Sequence, residues 1–242
     1  MTRTAELSFT RDGDGLRGYA AWPADGTPAP AIVLIPDVRG VYEHFRDVTR
    51  RFADAGFFTF AIDLYSREGA PDLPDLNAVM GWMAALSDQR VLADVAGAVN
   101  FLASRPEVRA DAIGITGFCM GGMYALMAAE TVPRLAACVG WYGMLRAVGE
   151  HKPDSPLSLA PRLGCPYLGL FGAEDALIPQ ADIENLRGIL TRERKTFEIQ
   201  VYAGAGHAFF NDARPDAFRA QVAADAWRRA VAFFRRHLGR EE

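Results

Sequence analysis

The chain has 242 residues and a formal net charge of −4, and 23% of its residues are charged. That charge, with no basic run beyond the short "RRHLGR" near the end, argues against nucleic acid or an anionic membrane as a partner. A hydrophobic fraction of 50% indicates an ordinary globular protein, and we expect one domain over residues 1–242 because α/β folds often reach this size undivided.

Short apolar runs alternate with longer amphipathic segments along the chain. Two runs, residues 6–10 and 16–22, flank the turn-rich "RDGDG" and predict an N-terminal hairpin. Further strands are predicted over residues 31–36, 57–65, 112–118, 136–143, 167–172 and 197–203. Helices are predicted over residues 44–55, 76–86, 89–103, 121–130, 181–191 and 215–238. This alternation predicts an α/β fold with a mostly parallel central sheet and helices on both faces.

The segment that follows the fourth central strand is short. About 23 residues separate Gly143 from the next predicted strand. A large cap domain does not fit there, so we expect a shallow site for small substrates.

The start of the chain and the cysteine content indicate the compartment. The first 15 residues, "MTRTAELSFTRDGDG", lack the apolar core of a signal peptide, and no apolar run approaches the roughly 18 residues of a membrane span. Three cysteines without CxxC spacing are too few for a disulfide framework. We therefore expect a cytoplasmic protein with free thiols.

Cys119 stands between a predicted strand and a predicted helix, with Gly117 and Gly121 two residues away on either side. This is the nucleophile-elbow pattern with cysteine in the serine position. The turn is tight and needs small neighbours, and the helix N-terminus favours an oxyanion and a thiolate. The pattern alone fits a buried core cysteine equally well. Cys138 and Cys165, in or beside predicted strands, are expected to be inert core thiols.

The order of acid and base along the chain favours the nucleophile. Asp175 follows the strand predicted at 167–172, and His207 follows the one predicted at 197–203. Nucleophile, acid and histidine occur in this order in α/β hydrolases, and loops at the carboxyl ends of parallel strands converge. Glu174 is the alternative acid, and a turn or N-cap carboxylate is the alternative role for Asp175. None of the other histidines follows a predicted strand: His44, His151 and His237.

The loop "LIPDVRG" at residues 34–40 follows the first central strand, where hydrolases place an oxyanion donor. We expect the two donors to be the backbone N–H groups of Val38 and Met120, with a plain turn at 36–40 as the alternative. Other side chains are candidate substrate contacts, although packing or a surface ion pair is the commoner role for each: Trp141, Tyr142, Arg39, Arg67 and Arg214.

From about residue 6 to 238 the chain resembles the dienelactone hydrolase (carboxymethylenebutenolidase) family. The matching stretches are "IPDVRGVYEHFRDVTRRFADAGFFTFAIDLYSR", "GITGFCMGG", "VGWYG", "LGLFGAEDALIP" and "GAGHAFFNDARP". The resemblance implies a compact α/β-hydrolase fold that cleaves small esters or lactones without metal or cofactor. It also implies the roles of four residues: Cys119 as nucleophile, His207 as base, Asp175 as its orienting acid, and Asp37 as the acid that contacts the resting cysteine, where the best-known members have the longer Glu.

The chain departs from the family at the substrate carboxylate. The dienelactone enzymes grip it with two arginines, one in the helix after the "DLYSR" segment and one four residues after the histidine. Here residues 76–86 contain no arginine, and the second position is Asn211, with Arg214 the nearest later arginine. The resemblance therefore does not extend to recognition of dienelactone itself.

Together these features predict a carboxylic ester hydrolase that acts on a small activated ester or lactone through a thioester acyl-enzyme, as a monomer or small homo-oligomer. The alternatives are a catalytically silent binding or sensor protein with the hydrolase fold and a small-acyl thioesterase. A redox-active thiol is a weaker alternative because no second cysteine lies nearby in sequence.

Overall fold

A computed structural model describes residues 1–149 and 152–239. The strands in these ranges are β1 (Thr2–Arg11), β2 (Asp14–Pro23), β3 (Ala29–Ile35), β4 (Phe58–Asp63), β5 (Val108–Phe118), β6 (Leu135–Trp141), β7 (Tyr167–Gly172) and β8 (Phe197–Tyr202). The helices are α1 (Glu43–Asp54), α2 (Leu76–Ala85), α3 (Asp88–Ala103), α4 (Met120–Thr131), α5 (Pro156–Leu159), α6 (Gln180–Arg192) and α7 (Ala220–His237), with a 3-10 turn at Ala160–Arg162.

The strands form one sheet in the order β1-β2-β4-β3-β5-β6-β7-β8. The β1–β2 and β2–β4 pairs are antiparallel, and the remaining neighbours are parallel. The predicted N-terminal hairpin and mostly parallel sheet are therefore confirmed. Because the parallel strands run in one direction, the loops after β3, β5, β7 and β8 meet at a single edge of the sheet.

Helices cover both faces of the sheet. All seven residues of β3 and all six of β7 are buried, as the continuous apolar runs predict for doubly covered strands. On one face α1 packs against α7, where the rings of Phe52 and Phe234 lie 5.9 Å apart. On the other face α3 and α4 contact each other and β5.

The structure after β6 bears on two predictions, the absence of a large cap and the start of the last helix. The described residues between β6 and β7 form only the four-residue helix α5 and the 3-10 turn, so no large cap covers this edge within the described ranges. The last helix begins at Ala220 rather than at residue 215. The residues just before α7 belong to the preceding loop instead, where the Arg219 N–H donates to the Phe209 carbonyl at 3.0 Å.

No helix within residues 1–149 and 152–239 combines the length and the apolar character that crossing a bilayer requires. This agrees with the absence of long apolar runs in the sequence.

Glycines let α4 approach the ends of β3, β5 and β6. A Cβ atom on Gly117 would lie 1.9 Å from the Gly121 carbonyl oxygen, and one on Gly121 would lie 2.2 Å from the Ile35 carbonyl oxygen. On the β6 side, a Cβ on Gly143 would lie 2.4 Å from the Gly122 carbonyl carbon. The obstructing atoms belong to the backbone, so no rotamer change relieves the overlap. Only glycine fits at these contacts.

We expect Gly121→Ala to lower the free energy of unfolding by roughly 1–3 kcal/mol or more, as overpacking in a core does. Gly188→Ala is the matched control, because Gly188 lies in α6 and its added Cβ would meet nothing within 4 Å. A helical glycine-to-alanine change without steric conflict raises stability by up to about 1 kcal/mol. Urea unfolding of both variants measures the difference. Equal stabilities would contradict the steric account.

Candidate active site

Cys119 occupies the sharp turn between β5, which ends at Phe118, and α4, which begins at Met120. Its backbone has φ 56° and ψ −117°, a conformation that costs a non-glycine residue about 1–3 kcal/mol. The turn is held by a hydrogen bond from the Cys119 N–H to the Trp141 carbonyl at 3.0 Å and by one from the Met123 N–H to the Cys119 carbonyl at 3.1 Å. Cys119 is partly exposed, whereas Cys138 and Cys165 are buried. The arrangement presents one thiol at the sheet edge.

The loops after β7 and β8 bring an acid and a histidine together. His207 Nδ1 lies 2.8 Å from Asp175 Oδ2, and Asp175 Oδ1 accepts the Leu177 N–H at 2.9 Å. The Asp175 side chain has no exposed area, so these hydrogen bonds take the place of contacts with water. Glu174 is exposed, and of the two candidate acids it is Asp175 that contacts the histidine.

The second ring nitrogen of His207, Nε2, is buried and is not the one bound to Asp175. Burial acts to lower the pKa of His207, but the charge of the Cys119 thiolate and the hydrogen bond to Asp175 outweigh it and raise the pKa to about 10. The charged ring is thus favoured when Cys119 is ionised. This electrostatic pairing is what a cysteine nucleophile requires of its base.

Asp37 lies in the turn after β3 and is 8% exposed. Its Oδ1 accepts the Arg39 N–H at 2.9 Å, and its Oδ2 accepts the Tyr42 hydroxyl at 3.1 Å. Burial raises the pKa of Asp37, while the Arg39 N–H, the Arg39 charge and Tyr42 act in the opposite direction. Asp37 and Cys119 line the same cavity, and the hydrogen bonds of the Asp37 carboxylate in this structure go to its own loop.

Asn211, at the position where the resemblance implies an arginine, joins the same network. It is 1% exposed, and its Nδ2 donates to the Tyr42 hydroxyl at 2.7 Å. Its Oδ1 accepts the Ala213 N–H at 3.1 Å. Asn211 therefore ties the His207 loop to the Asp37 loop through Tyr42, with its polar atoms occupied within the protein.

A cavity of about 360 Å³ opens above Cys119 and His207. Its polar lining consists of Asp37, Arg39, Asp75, Cys119, His207 and Arg214. Its apolar lining consists of Val38, Leu73, Pro74, Leu76, Val79, Leu177 and Ala208. Of the expected oxyanion donors, Val38 lines the cavity, and Met120 is the fully buried first residue of α4.

The structure brings two of the three candidate arginines to this cavity. Arg39 and Arg214 both line it, and Arg214 also pairs with Asp216 at 3.3 Å. Arg67 does not line it. The Arg67 guanidinium binds the buried carboxylate of Asp94 through two hydrogen bonds of 2.8 and 3.0 Å, so its role is to join the loop after β4 to α3.

Neither of the two aromatic candidates lines this cavity. Trp141 is fully buried, stacks on Phe118 at 5.0 Å and donates through Nε1 to Thr116 at 3.0 Å, so it is a core residue rather than a cavity wall. Tyr142 is buried with its ring 5.2 Å from the His207 ring, edge to face. It supports the histidine from behind.

Sequence reasoning did not identify the apolar wall formed by residues 73–79 at the start of α2. Leu76 in this wall is 55% exposed, and no local pattern in the sequence distinguishes it from a core leucine. Tyr42 was also missed, since its partner Asn211 lies 169 positions away in sequence. Of the other histidines, His44 pairs with Asp212 at 2.8 Å, His237 ends α7, and His151 lies outside the described residues. Within the described ranges, no group of three His, Cys, Asp or Glu side chains is placed to hold a metal ion.

Comparisons with known proteins agree on one family. The chain matches the dienelactone hydrolase family over residues 16–238. An Escherichia coli protein assigned as a carboxymethylenebutenolidase is 38% identical over 239 residues, which cover 97% of this chain and 87% of that protein. A Bradyrhizobium protein assigned as a 2-oxo-3-(5-oxofuran-2-ylidene)propanoate lactonase is 36% identical, over 94% of this chain and 92% of that protein. A crystal structure from Klebsiella pneumoniae, assigned as a dienelactone hydrolase, superposes with a TM-score of 0.90 at 36% identity, over 97% of this chain and 98% of that one.

The raised pKa of His207 makes a direct prediction about its protonation. A pKa near 10 means that the ring stays protonated at pH 8, where an unperturbed histidine, with a pKa of about 6.5, is neutral. In Cys119→Ala the thiolate charge is gone, so the midpoint moves to lower pH. Titration of the imidazole ¹⁵N shifts of His207 measures the midpoint in both proteins. The same His207 midpoint in the two proteins would contradict the pairing.

Proposed function

Because the chain belongs to the dienelactone hydrolase family, whose relatives are named as carboxylic ester hydrolases, we propose that Cys119 cleaves small activated esters or lactones through a thioester acyl-enzyme. The observation that carries the proposal is the cluster at the sheet edge. His207 is bound to buried Asp175 at 2.8 Å, and His207 and Cys119 line the same cavity.

The first step is attack of the Cys119 thiolate on the ester carbonyl carbon. A carbon–sulfur bond forms, and the carbonyl π electrons move to oxygen as an oxyanion. In the proposal the Val38 and Met120 N–H groups donate to it, together with the positive N-terminal end of α4. Loss of one such donor typically costs roughly 10²–10³ in rate.

The second step breaks the carbon–oxygen bond. The leaving alkoxide or enolate takes the His207 proton, and in a lactone it stays attached to the acyl chain as a new hydroxyl or enol. His207, now neutral, accepts a proton from water, and the hydroxide attacks the thioester. The thiolate leaves, and the carboxylic acid is released.

The nucleophile and the cavity limit the substrate. An ordinary cysteine thiol has a pKa of about 8.5, so a thiolate leaves the tetrahedral intermediate more readily than an alkyl alkoxide does. Unactivated alkyl esters therefore revert, whereas enol lactones, aryl esters and thioesters go forward. A cavity of about 360 Å³ with an apolar wall admits small molecules of this kind.

We expect Cys119→Ala to lower hydrolysis of p-nitrophenyl acetate by at least about 10³-fold, as removal of a covalent nucleophile does. Cys165→Ala is the control, since Cys165 is buried and burial raises the pKa of its thiol to about 12. Steady-state rates of the purified proteins measure the effect. Full activity of Cys119→Ala would overturn the assignment.

The charge of the substrate is tested with the same enzyme. A panel of cis- and trans-dienelactone, p-nitrophenyl acetate and a short acyl thioester compares an anionic substrate with neutral ones. A preference for dienelactone by orders of magnitude would mean that Arg39 and Arg214, which line the cavity, bind the substrate carboxylate in place of the family's two arginines. Turnover of the neutral substrates alone would mean that the natural substrate lacks the carboxylate that dienelactone carries.

A further inference from the structure

We propose that Tyr65 is a positioning residue for the oxyanion hole: its hydroxyl holds the carbonyl of Val38 and so fixes the residue whose N–H receives the developing charge. The inference rests on the proposed function, in which Val38 supplies one donor. Tyr65 is not among the residues that line the cavity above Cys119. Its effect is transmitted through the backbone of the turn at residues 37–40.

The contact is a short buried hydrogen bond. The Tyr65 hydroxyl donates to the Val38 carbonyl oxygen at 2.6 Å, and Tyr65 and Val38 are 2% and 6% exposed. Burial raises the pKa of Tyr65, so the hydroxyl keeps its proton and remains a donor at neutral pH. Water does not compete for this bond, because both residues are shielded.

The other hydrogen bonds of the turn at 37–40 are made by the residues beside Val38, and one of them, from Tyr42 to Asp37, links the turn to Asn211. The Gly40 N–H donates to the Asp37 carbonyl at 3.0 Å, which closes the turn, and the Asp37 carboxylate accepts the Arg39 N–H at 2.9 Å. Both bonds lie inside the turn and move with it. The Tyr65 bond instead joins the Val38 backbone to the segment that follows β4.

The Tyr65 ring also fills the space beneath the turn. A Cβ atom on Gly40 would lie 3.0 Å from Tyr65 Cδ2, so the ring packs closely against the Gly40 backbone. Gly40 has φ 81°, a conformation that glycine adopts without strain. The turn can therefore rest directly on the ring, with the hydroxyl reaching Val38.

Tyr65 is itself rigidly placed. Its N–H donates to Asp63 Oδ1 at 3.0 Å, and its carbonyl accepts the Gly69 N–H at 2.8 Å. Its ring meets that of Trp82 in α2 edge to face at 5.9 Å. A residue fixed at both backbone groups and at its ring can hold the Val38 carbonyl in one position.

The expected effect follows from the geometry of oxyanion stabilisation. Donors act when they lie about 2.7–3.1 Å from the oxyanion, and small displacements weaken them. Both tetrahedral intermediates of the reaction, during acylation and deacylation, carry this charge. Release of Val38 therefore lowers kcat and leaves ground-state binding of the ester unchanged.

The test compares Tyr65→Phe with Tyr124→Phe. Tyr124 is a matched control, because it is also a buried tyrosine whose hydroxyl makes a 2.6 Å hydrogen bond, to Asp88. For p-nitrophenyl acetate we expect Tyr65→Phe to lower kcat about 10-fold, less than the loss of a whole donor, with KM within about twofold. Tyr124→Phe keeps the wild-type kcat.

Alkylation of Cys119 by iodoacetamide separates positioning from general damage. That reaction displaces iodide from carbon and develops no charge on a carbonyl oxygen, so its rate in Tyr65→Phe equals that of the wild type. A second measurement uses a short trifluoromethyl ketone. The Cys119 sulfur adds to its carbonyl carbon, the π pair becomes an alkoxide in the oxyanion hole, and its affinity falls by the same factor as kcat.

The proposal is overturned if Tyr65→Phe retains wild-type kcat and inhibitor affinity, or if the alkylation rate falls together with kcat. Failure of the underlying function looks different. In that case Cys119→Ala hydrolyses the ester as fast as the wild type does, whatever the Tyr65 variant shows.

Discussion

The site depends on the close steric approach of α4 to the ends of β3, β5 and β6. Backbone atoms there leave no room for a Cβ on Gly117 or Gly121, and the chain turns between strand and helix within the single residue Cys119, at φ 56°. The conformation costs stability. This conformation directs the Cys119 thiol toward the sheet edge. The N-terminus of the 12-residue helix α4 lies beside the thiol, and negative charge is favoured there. The remaining site residues are arranged around that thiol.

Charge is distributed in two linked networks around Cys119. In one, buried Asp175 holds His207, and the pKa of the histidine is raised to about 10 despite burial. In the other, Asn211 and Tyr42 hold Asp37, whose pKa burial raises. Asn211 follows His207 on the same loop, so the two networks meet there. Movement of the histidine loop is thereby coupled to the loop that carries Val38.

The sequence predicts those features whose cause is local. Continuous apolar runs predict the parallel strands, and small residues around Cys119 predict the tight turn. Asp175 and His207 follow successive strands, which predicts that they lie close together, and in the structure they are 2.8 Å apart. Features set by distant partners are different. Arg67 pairs with Asp94, 27 positions away, and Asn211 bonds Tyr42 across 169 positions. No local pattern carries such pairings, which follow from how the helices pack on the sheet.

The most direct test of the account is rapid-quench mass spectrometry of the enzyme during turnover of p-nitrophenyl acetate. We expect an acetyl adduct on the peptide that contains Cys119, formed and consumed at rates no slower than kcat and absent in Cys119→Ala. A trapped adduct that is never released would indicate a binding or sensor protein instead. Turnover with no adduct, or with the acetyl group on another residue, would contradict the assignment of Cys119 as the nucleophile.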